Sequence, residues 1–354
     1  MSKTLMIMAG GTGGHVYPAM AVADALLAVG WKIVWLCTEG GMENRLIANK
    51  PYAKAMISMR GVRGKGYLGW VLLPFKLLKA FAQSAQALHR HQPDVVLGMG
   101  GFAAFPGGVM AKLLGKPLVI HEQNSVAGLT NKALAPLANK LVAAFPAAFG
   151  DKALLLGNPV RADICKLAAP ANRLQGRSGP LRLLVVGGSL GAQALNETLP
   201  MALAQLDEKT RPIVVHQAGE KHLANLTQRY QGLAVEAQAK AFIDDMAAMY
   251  DWADLVICRA GALTVAELSA AGVASLLVPF PHAVDDHQTG NAHYLSDAGA
   301  ALLVPQTDFT VNKVAALLQS MTREQCLAMA LKARDLGMPE ATTKVATICM
   351  ELAT

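Results

Sequence analysis

Three glycine-rich turns, and the polar residues set into them, are the parts of this sequence equipped for chemistry: AGGTGGHV (9–16), GMGGFAAFPGG (98–108) and VGGSLGA (186–192). Each follows an apolar run and precedes a helical pattern. A strand that ends in glycines and feeds a helix brings bare backbone N–H groups and the positive helix end to one point, which suits a phosphate. One such turn is more often a tight connection that binds nothing, but three along a chain favour a phosphorylated ligand. His15 directly follows the first turn, where an imidazole is suited to general-base work; helix capping or phosphate contact is its plainer role. Glu122 is the second candidate base. Asp244-Asp245 and Asp285-Asp286 are adjacent pairs rather than D-x-D, so chemistry without metal or cofactor is expected.

The nucleotide class is narrowed by what the turns lack. The dinucleotide fingerprint G-x-G-x-x-G fails because Val16 stands where the third glycine belongs after Gly11 and Gly13, and the gaps around Gly188 and Gly191 are wrong. No G-x-x-x-x-G-K-[ST] occurs, which excludes a P-loop. Glu39, after the second apolar run, keeps a nicotinamide-dependent oxidoreductase open as a rival, and a non-catalytic nucleotide-sugar-binding protein is a third reading.

Short apolar runs alternating with longer helical patterns must position these turns, and this alternation predicts an α/β fold of parallel sheets. Strands are expected at Thr4–Ala9, Lys32–Leu36, Val95–Leu97, Leu118–His121 and Lys140–Ala143. A second series runs through Leu181–Val186, Ile213–His216, Leu255–Cys258, Ala274–Val278 and Ala301–Val304. The aperiodic stretch Gly157–Gly179, headed by NPVR, is read as the linker. The expected domains are 1–161, completed by a C-terminal helix at 339–354, and 162–338. At 354 residues, 53% hydrophobic and 16% charged, the chain can fill two cores. Ligands of open α/β sheets bind at the carboxyl ends of the strands, so two facing sheets would line one cleft with these turns.

Five cysteines with no C-x-x-C spacing argue against a disulfide framework or zinc ribbon and fit a reducing cytoplasm. The N-terminus reads as a first strand, and no apolar run is long enough to span a bilayer. A net charge of +7 favours acidic partners. The basic RGVRGKG (60–66) precedes an apolar stripe, Trp70, Leu73, Leu77, Leu78 and Phe81, with Lys76 and Lys79 beside it. This fits a membrane-surface patch, and equally a core-facing amphipathic helix with snorkelling lysines.

In order along the chain stand GGTGGHVYPA (10–19), DVVLGMGGF (94–102), HEQNSVAGLTNK (121–132), GNPVR (157–161), VVGGSLGA (185–192), FIDDMA (242–247) and CRAGALTVAE (258–267). With these motifs the chain resembles the MurG family of N-acetylglucosaminyltransferases of peptidoglycan synthesis. The resemblance implies a GT-B fold of two Rossmann-like domains, an acceptor site for lipid I in the first and a UDP-N-acetylglucosamine site in the second. It implies substrate contacts at Thr12, Gly13, Gly14, Asn124, Arg161, Ser189, Ile243, Ala262, Leu263, Thr264, Val265, Ala266, Glu267 and Gln288. Ile243 would read the uracil edge through its backbone, Glu267 the ribose, Ser189 a phosphate oxygen, and Arg161 would neutralise the leaving UDP. Asn124 and Gln288 would read sugar hydroxyls, with His287 competing for the latter alignment. Arg259-Ala260 replaces the Arg-Ser pair of some members. The implied partners are UDP-N-acetylglucosamine, lipid I, an anionic membrane at the cytoplasmic face of the inner membrane and cell-wall synthesis complexes, but not nucleic acid. A relative with another lipid acceptor, or one that epimerises the sugar, remains a nearer rival.

Overall fold

The apolar runs of the first half form β1 (Thr4–Met8), β2 (Lys32–Thr38), β4 (Val95–Gly98), β5 (Leu118–Glu122) and β6 (Lys140–Ala143), joined at the edges by β3 (Ala53–Ile57) and β7 (Leu154–Leu155). All seven run parallel in the order β3-β2-β1-β4-β5-β6-β7. The computed structural model describes residues 2–59, 73–188 and 190–353. Sheet one belongs to a unit made of Met1–Arg161 and Pro339–Thr354; Ala162–Met338 form the other.

In the second unit β8 (Arg182–Val186), β9 (Ile213–Gln217), β10 (Ala237–Lys240), β11 (Leu255–Cys258), β12 (Ala274–Leu277) and β13 (Ala301–Leu303) are again all parallel, in the order β10-β9-β8-β11-β12-β13. Near-continuous Leu, Ile and Val let the central strands bury both faces beneath helices, as in β8, where Leu183, Leu184 and Val185 are fully buried. In each sheet the order reverses beside the first strand, between β1 and β4 and between β8 and β11. Such a reversal opens a crevice at the strands' carboxyl ends, because the flanking helices cross to opposite faces.

The structure bears on two of these readings. The boundary between the units falls inside the stretch read as the linker, after Arg161, and the rest of that stretch folds as part of the second unit, where the helices Ala162–Cys165 and Pro170–Leu174 lie. There the buried Arg173 guanidinium donates to the carbonyls of Tyr250 at 2.8 Å and Ala271 at 2.7 Å, and Arg177 Nη1 pairs with Asp254 at 2.7 Å. The helix Leu73–His91 turns the predicted stripe of Leu73, Leu77 and Phe81 partly inward; Phe81 packs on Phe105 with ring centroids 6.0 Å apart. The large apolar residues exposed on this helix are Phe75 and Leu78, 70% and 65% accessible. Trp70 and the basic loop 60–66 lie outside the described residues, as does Ser189.

All five cysteines are free thiols. Burial pushes those of Cys258 and Cys349 up to about 12, so these side chains serve as core hydrophobes rather than nucleophiles.

Candidate functional site

At the switch point of the first sheet, the turns after β1 and β4 lie against each other. Gly10 N donates to the carbonyl of Gly100 at 3.3 Å. Gly101 has φ +94°, and a Cβ there would meet the Gly10 carbonyl oxygen at 2.6 Å, so both the conformation and the close approach require glycine. The helix Gly13–Ala28 starts here after Thr12, whose side chain makes no capping hydrogen bond. Its first turn holds no acidic residue, and the N–H groups of His15 and Val16 are taken by the Thr12 carbonyl at 3.2 Å. Gly13, Gly14 and His15 are the first residues of this helix.

His15 Nδ1 lies 2.9 Å from the Gly10 carbonyl oxygen. A carbonyl only accepts, so Nδ1 carries the proton and Nε2 is left as the basic atom of the neutral ring. A Cβ at Gly100 would approach this Nε2 to 3.2 Å, so glycine at 100 clears the space beside it.

Glu122 sits differently from an exposed base. It is 2% accessible, and its carboxylate accepts from Asn124 N at 3.0 Å, Asn124 Nδ2 at 3.3 Å, Gly128 N at 3.1 Å and Asn131 Nδ2 at 2.8 Å. Its geometry is that of a staple for the loop that carries Asn124. Beside it His121 is fully buried, 3.0 Å from the Gly157 carbonyl, and burial lowers its pKa to about 4. Arg161 is the last residue of the first unit's main segment.

In the second unit a cavity of about 620 Å³ opens at the switch point, lined by Gly187, Gly188 and Gly191 from the turn after β8 and by Gly261 and Thr264 from the turn after β11. Two helices begin there, Gln193–Ala204 and Ala262–Ala271, and neither N-terminus has a side-chain cap or an acidic first turn. Two positive helix ends therefore share one cavity, each carrying roughly half a unit charge. Gly191 has φ +79°, and a Cβ there would fall 1.9 Å from the Ala218 carbonyl oxygen, so no larger residue fits this turn.

Of the residues expected on the sugar nucleotide, Thr264 and Gln288 line the cavity. Gln288 Oε1 accepts from Phe280 N at 2.9 Å, which turns the amide's donor end outward. Ala262, Leu263, Val265 and Ala266 follow Gly261 in the helix, with Val265 fully buried. Glu267 is buried farther along, its Oε2 accepting from Tyr250 OH at 3.1 Å. Ile243 lies beyond β10, 5% accessible, and its N–H donates to Gln217 Oε1 at 3.1 Å.

Arg259 was seen in the sequence only as part of a motif, yet its side chain lines the cavity. It donates to the carbonyls of Val278 at 3.1 Å and Pro279 at 3.2 Å and to Gln306 Oε1 at 2.6 Å, with its guanidinium 5.4 Å from the Phe280 ring centre. Burial lowers its pKa, so an incoming anion would relieve the cost of holding this charge there. Its position directly after an apolar strand was the available signal. Gln217, Tyr250 and Gln306 carried none, because their roles arise from partners 17 to 47 residues away. Among the described residues no group of three or more His, Cys, Asp or Glu is arranged to hold a metal ion.

Residues 5–143 match the glycosyltransferase family 28 N-terminal domain and residues 182–345 the glycosyltransferase family 28 C-terminal domain. A protein of Dechloromonas aromatica named UDP-N-acetylglucosamine–N-acetylmuramyl-(pentapeptide) pyrophosphoryl-undecaprenol N-acetylglucosamine transferase is 55% identical over 353 residues, covering 100% of both chains. One of the same name from Nitrosospira multiformis is 56% identical, covering 99% of each. The crystal structure of Acinetobacter baumannii MurG superposes with a TM-score of 0.87 at 42% identity, covering 99% of both chains. The calicheamicin glycosyltransferase CalG4, 16% identical with a TM-score of 0.68 and full coverage of both chains, shares the fold.

Proposed function

The chain belongs to the MurG family of family 28 glycosyltransferases, and from that premise we infer how its residues divide one transfer reaction between two units. It is an N-acetylglucosaminyltransferase that moves N-acetylglucosamine from UDP-N-acetylglucosamine to N-acetylmuramyl-(pentapeptide) pyrophosphoryl-undecaprenol, converting lipid I to lipid II. The oxidoreductase reading falls with this assignment; Glu39, its supporting residue, accepts from Ser58 Oγ at 2.6 Å.

The donor belongs to the second unit in this reading. The observation that carries it is the convergence of two uncapped helix N-termini and the Arg259 guanidinium on one glycine-lined cavity. Such a site holds a diphosphate and gains strength as negative charge builds on the leaving oxygen. Thr264 and the backbone from Ala262 to Ala266 hold the diphosphate, aided by Ser189 and Arg161. Glu267 takes the ribose, oriented by Tyr250, and Gln288 takes a sugar hydroxyl.

The acceptor belongs to the first unit, with Thr12, Gly13, Gly14 and Asn124 around its reacting end. His15 Nε2 removes the proton from the C4 hydroxyl of N-acetylmuramic acid while that oxygen attacks the anomeric carbon. The bond from that carbon to the β-phosphate oxygen breaks, its electron pair leaves with UDP, and configuration inverts. Glu122 shapes the Asn124 loop instead of taking the proton.

No described helix is long and apolar enough to cross a membrane. The lipid tail of the acceptor and the exposed Phe75 and Leu78, next to exposed Lys76 and Lys79, support peripheral attachment to an anionic membrane at the cytoplasmic face.

The test is UDP release with a short-chain lipid I analogue, comparing UDP-N-acetylglucosamine, UDP-N-acetylgalactosamine and UDP-glucose. Release should require the acceptor and be fastest with the first donor. Release that ignores the acceptor would overturn the proposed transfer.

A further inference from the structure

Strand β2 ends at Thr38, and the chain turns through Gly40 and Gly41 into the short helix Glu43–Leu46. Glu43 is completely buried there. Its Oε1 accepts from Thr38 N at 2.8 Å and from Thr38 Oγ1 at 2.7 Å, while its Oε2 has no hydrogen-bond partner among the described residues. No Lys, Arg or His among them forms an ion pair with it. The Cys37 thiol is pushed up to about 12, by burial first and by this carboxylate second, so it brings no charge. A buried carboxylate with no cation and an unpaired oxygen is costly, and an amide of the same shape would fill the space at less cost.

The unpaired oxygen lies against the first glycine turn. A Cβ on Gly10 would meet Glu43 Oε2 at 2.9 Å and Cδ at 3.0 Å, and a Cβ on Gly101 would meet the Gly10 carbonyl carbon at 2.8 Å. Gly10 is thus packed by the carboxylate and by the turn after β4, and its carbonyl oxygen is the atom 2.9 Å from His15 Nδ1. Carboxylate, Gly10 peptide and imidazole follow one another. A negative charge behind that peptide strengthens the carbonyl as an acceptor, which keeps the proton on Nδ1 and leaves Nε2 basic. It also favours the cation that the ring becomes on taking a proton. We propose that Glu43 is a positioning residue for the transfer, whose carboxylate seats the Gly10 peptide against His15 and steadies the imidazolium formed as the acceptor hydroxyl is deprotonated. This rests on His15 being the base, as proposed above.

Glu43→Gln keeps the side chain's shape and an acceptor toward Thr38 but removes the charge. With UDP-N-acetylglucosamine and a short-chain lipid I analogue, kcat should fall about tenfold while KM for the donor stays within about twofold, the pattern of an interaction made only in the transition state. A double-mutant cycle tells an action through the imidazole from a purely structural one. In a His15→Ala background the same substitution should change kcat by less than about twofold, because the group it acts through is gone. An equal loss in both backgrounds overturns the proposal, and so does a Gln variant that keeps the wild-type kcat. If the Gln variant does not fold, Thr38→Val replaces it, removing one donor from the anchored oxygen. Here kcat should fall about threefold at unchanged KM, and an unchanged kcat overturns the proposal. A His15→Ala enzyme with the wild-type kcat would defeat the base reading itself and the role of Glu43 with it.

Discussion

At the scale of single residues, hydrogen-bond geometry separates His15 from Glu122. The imidazole spends one nitrogen on Gly10 and keeps the other for a proton, whereas the carboxylate is buried under four donors. His15→Ala should therefore lower kcat by roughly 10²- to 10⁴-fold, the usual worth of a general base, while UDP affinity by calorimetry stays within about twofold. Equal losses in both would assign His15 to structure. Asp254 makes a stability prediction. Burial raises its pKa, but the Arg182 N–H and the guanidiniums of Arg323 and Arg177 outweigh that and hold it below the ordinary value. A carboxylate depressed in the folded state contributes stability above its unfolded pKa and loses it as pH falls through the folded one. Urea unfolding of the second unit should weaken progressively below about pH 4. Asp254→Asn should cost about 3 kcal/mol at neutral pH and flatten that dependence.

At the scale of elements, the helix Leu73–His91 shows how a stripe can mislead. Leu73, Leu77 and Phe81 recur at a spacing of four, and the same face continues through Ser84 and Leu88, both buried. The run therefore reads as one side of a helix, but periodicity does not say whether that side meets protein or lipid. Phe75→Ser with Leu78→Ser should abolish sedimentation with anionic vesicles and leave the melting temperature within about two degrees, because exposed side chains contribute little to folding. Phe81→Ser should lower the melting temperature. Retention of the double variant on vesicles would remove these two residues from the membrane contact. Strands β3 and β10 teach a related lesson. AKAMI holds a single β-branched residue, Ile57, and AQAK none, so neither is marked as a strand by composition, and each is an edge strand ordered by pairing with its inner neighbour.

At the scale of the whole molecule, the chain leaves its first unit at Arg161 and returns at Pro339. The helix Ala341–Leu352 packs on Gly13–Ala28, burying Val345, Ile348 and Cys349 in the first unit's core. Deleting 339–354 should destabilise that unit by about 5 kcal/mol, given roughly 1.5–3 kcal/mol per large buried apolar side chain. The second unit should still bind UDP, seen as a UDP-dependent shift of its own unfolding transition. Loss of both together would mean that the nucleotide site needs the first unit. The sequence by itself determined the α/β class, most inner strands, the three glycine turns and the motif order that marks the family, because period and turn chemistry are local. The partners across the fold were decided only by tertiary structure: β1 beside β4, β8 beside β11, Glu122 buried under its loop, and Gln217 between Gly188 and Ile243. The physical reason is that long-range burial and crossover packing select those neighbours, and no local period encodes them.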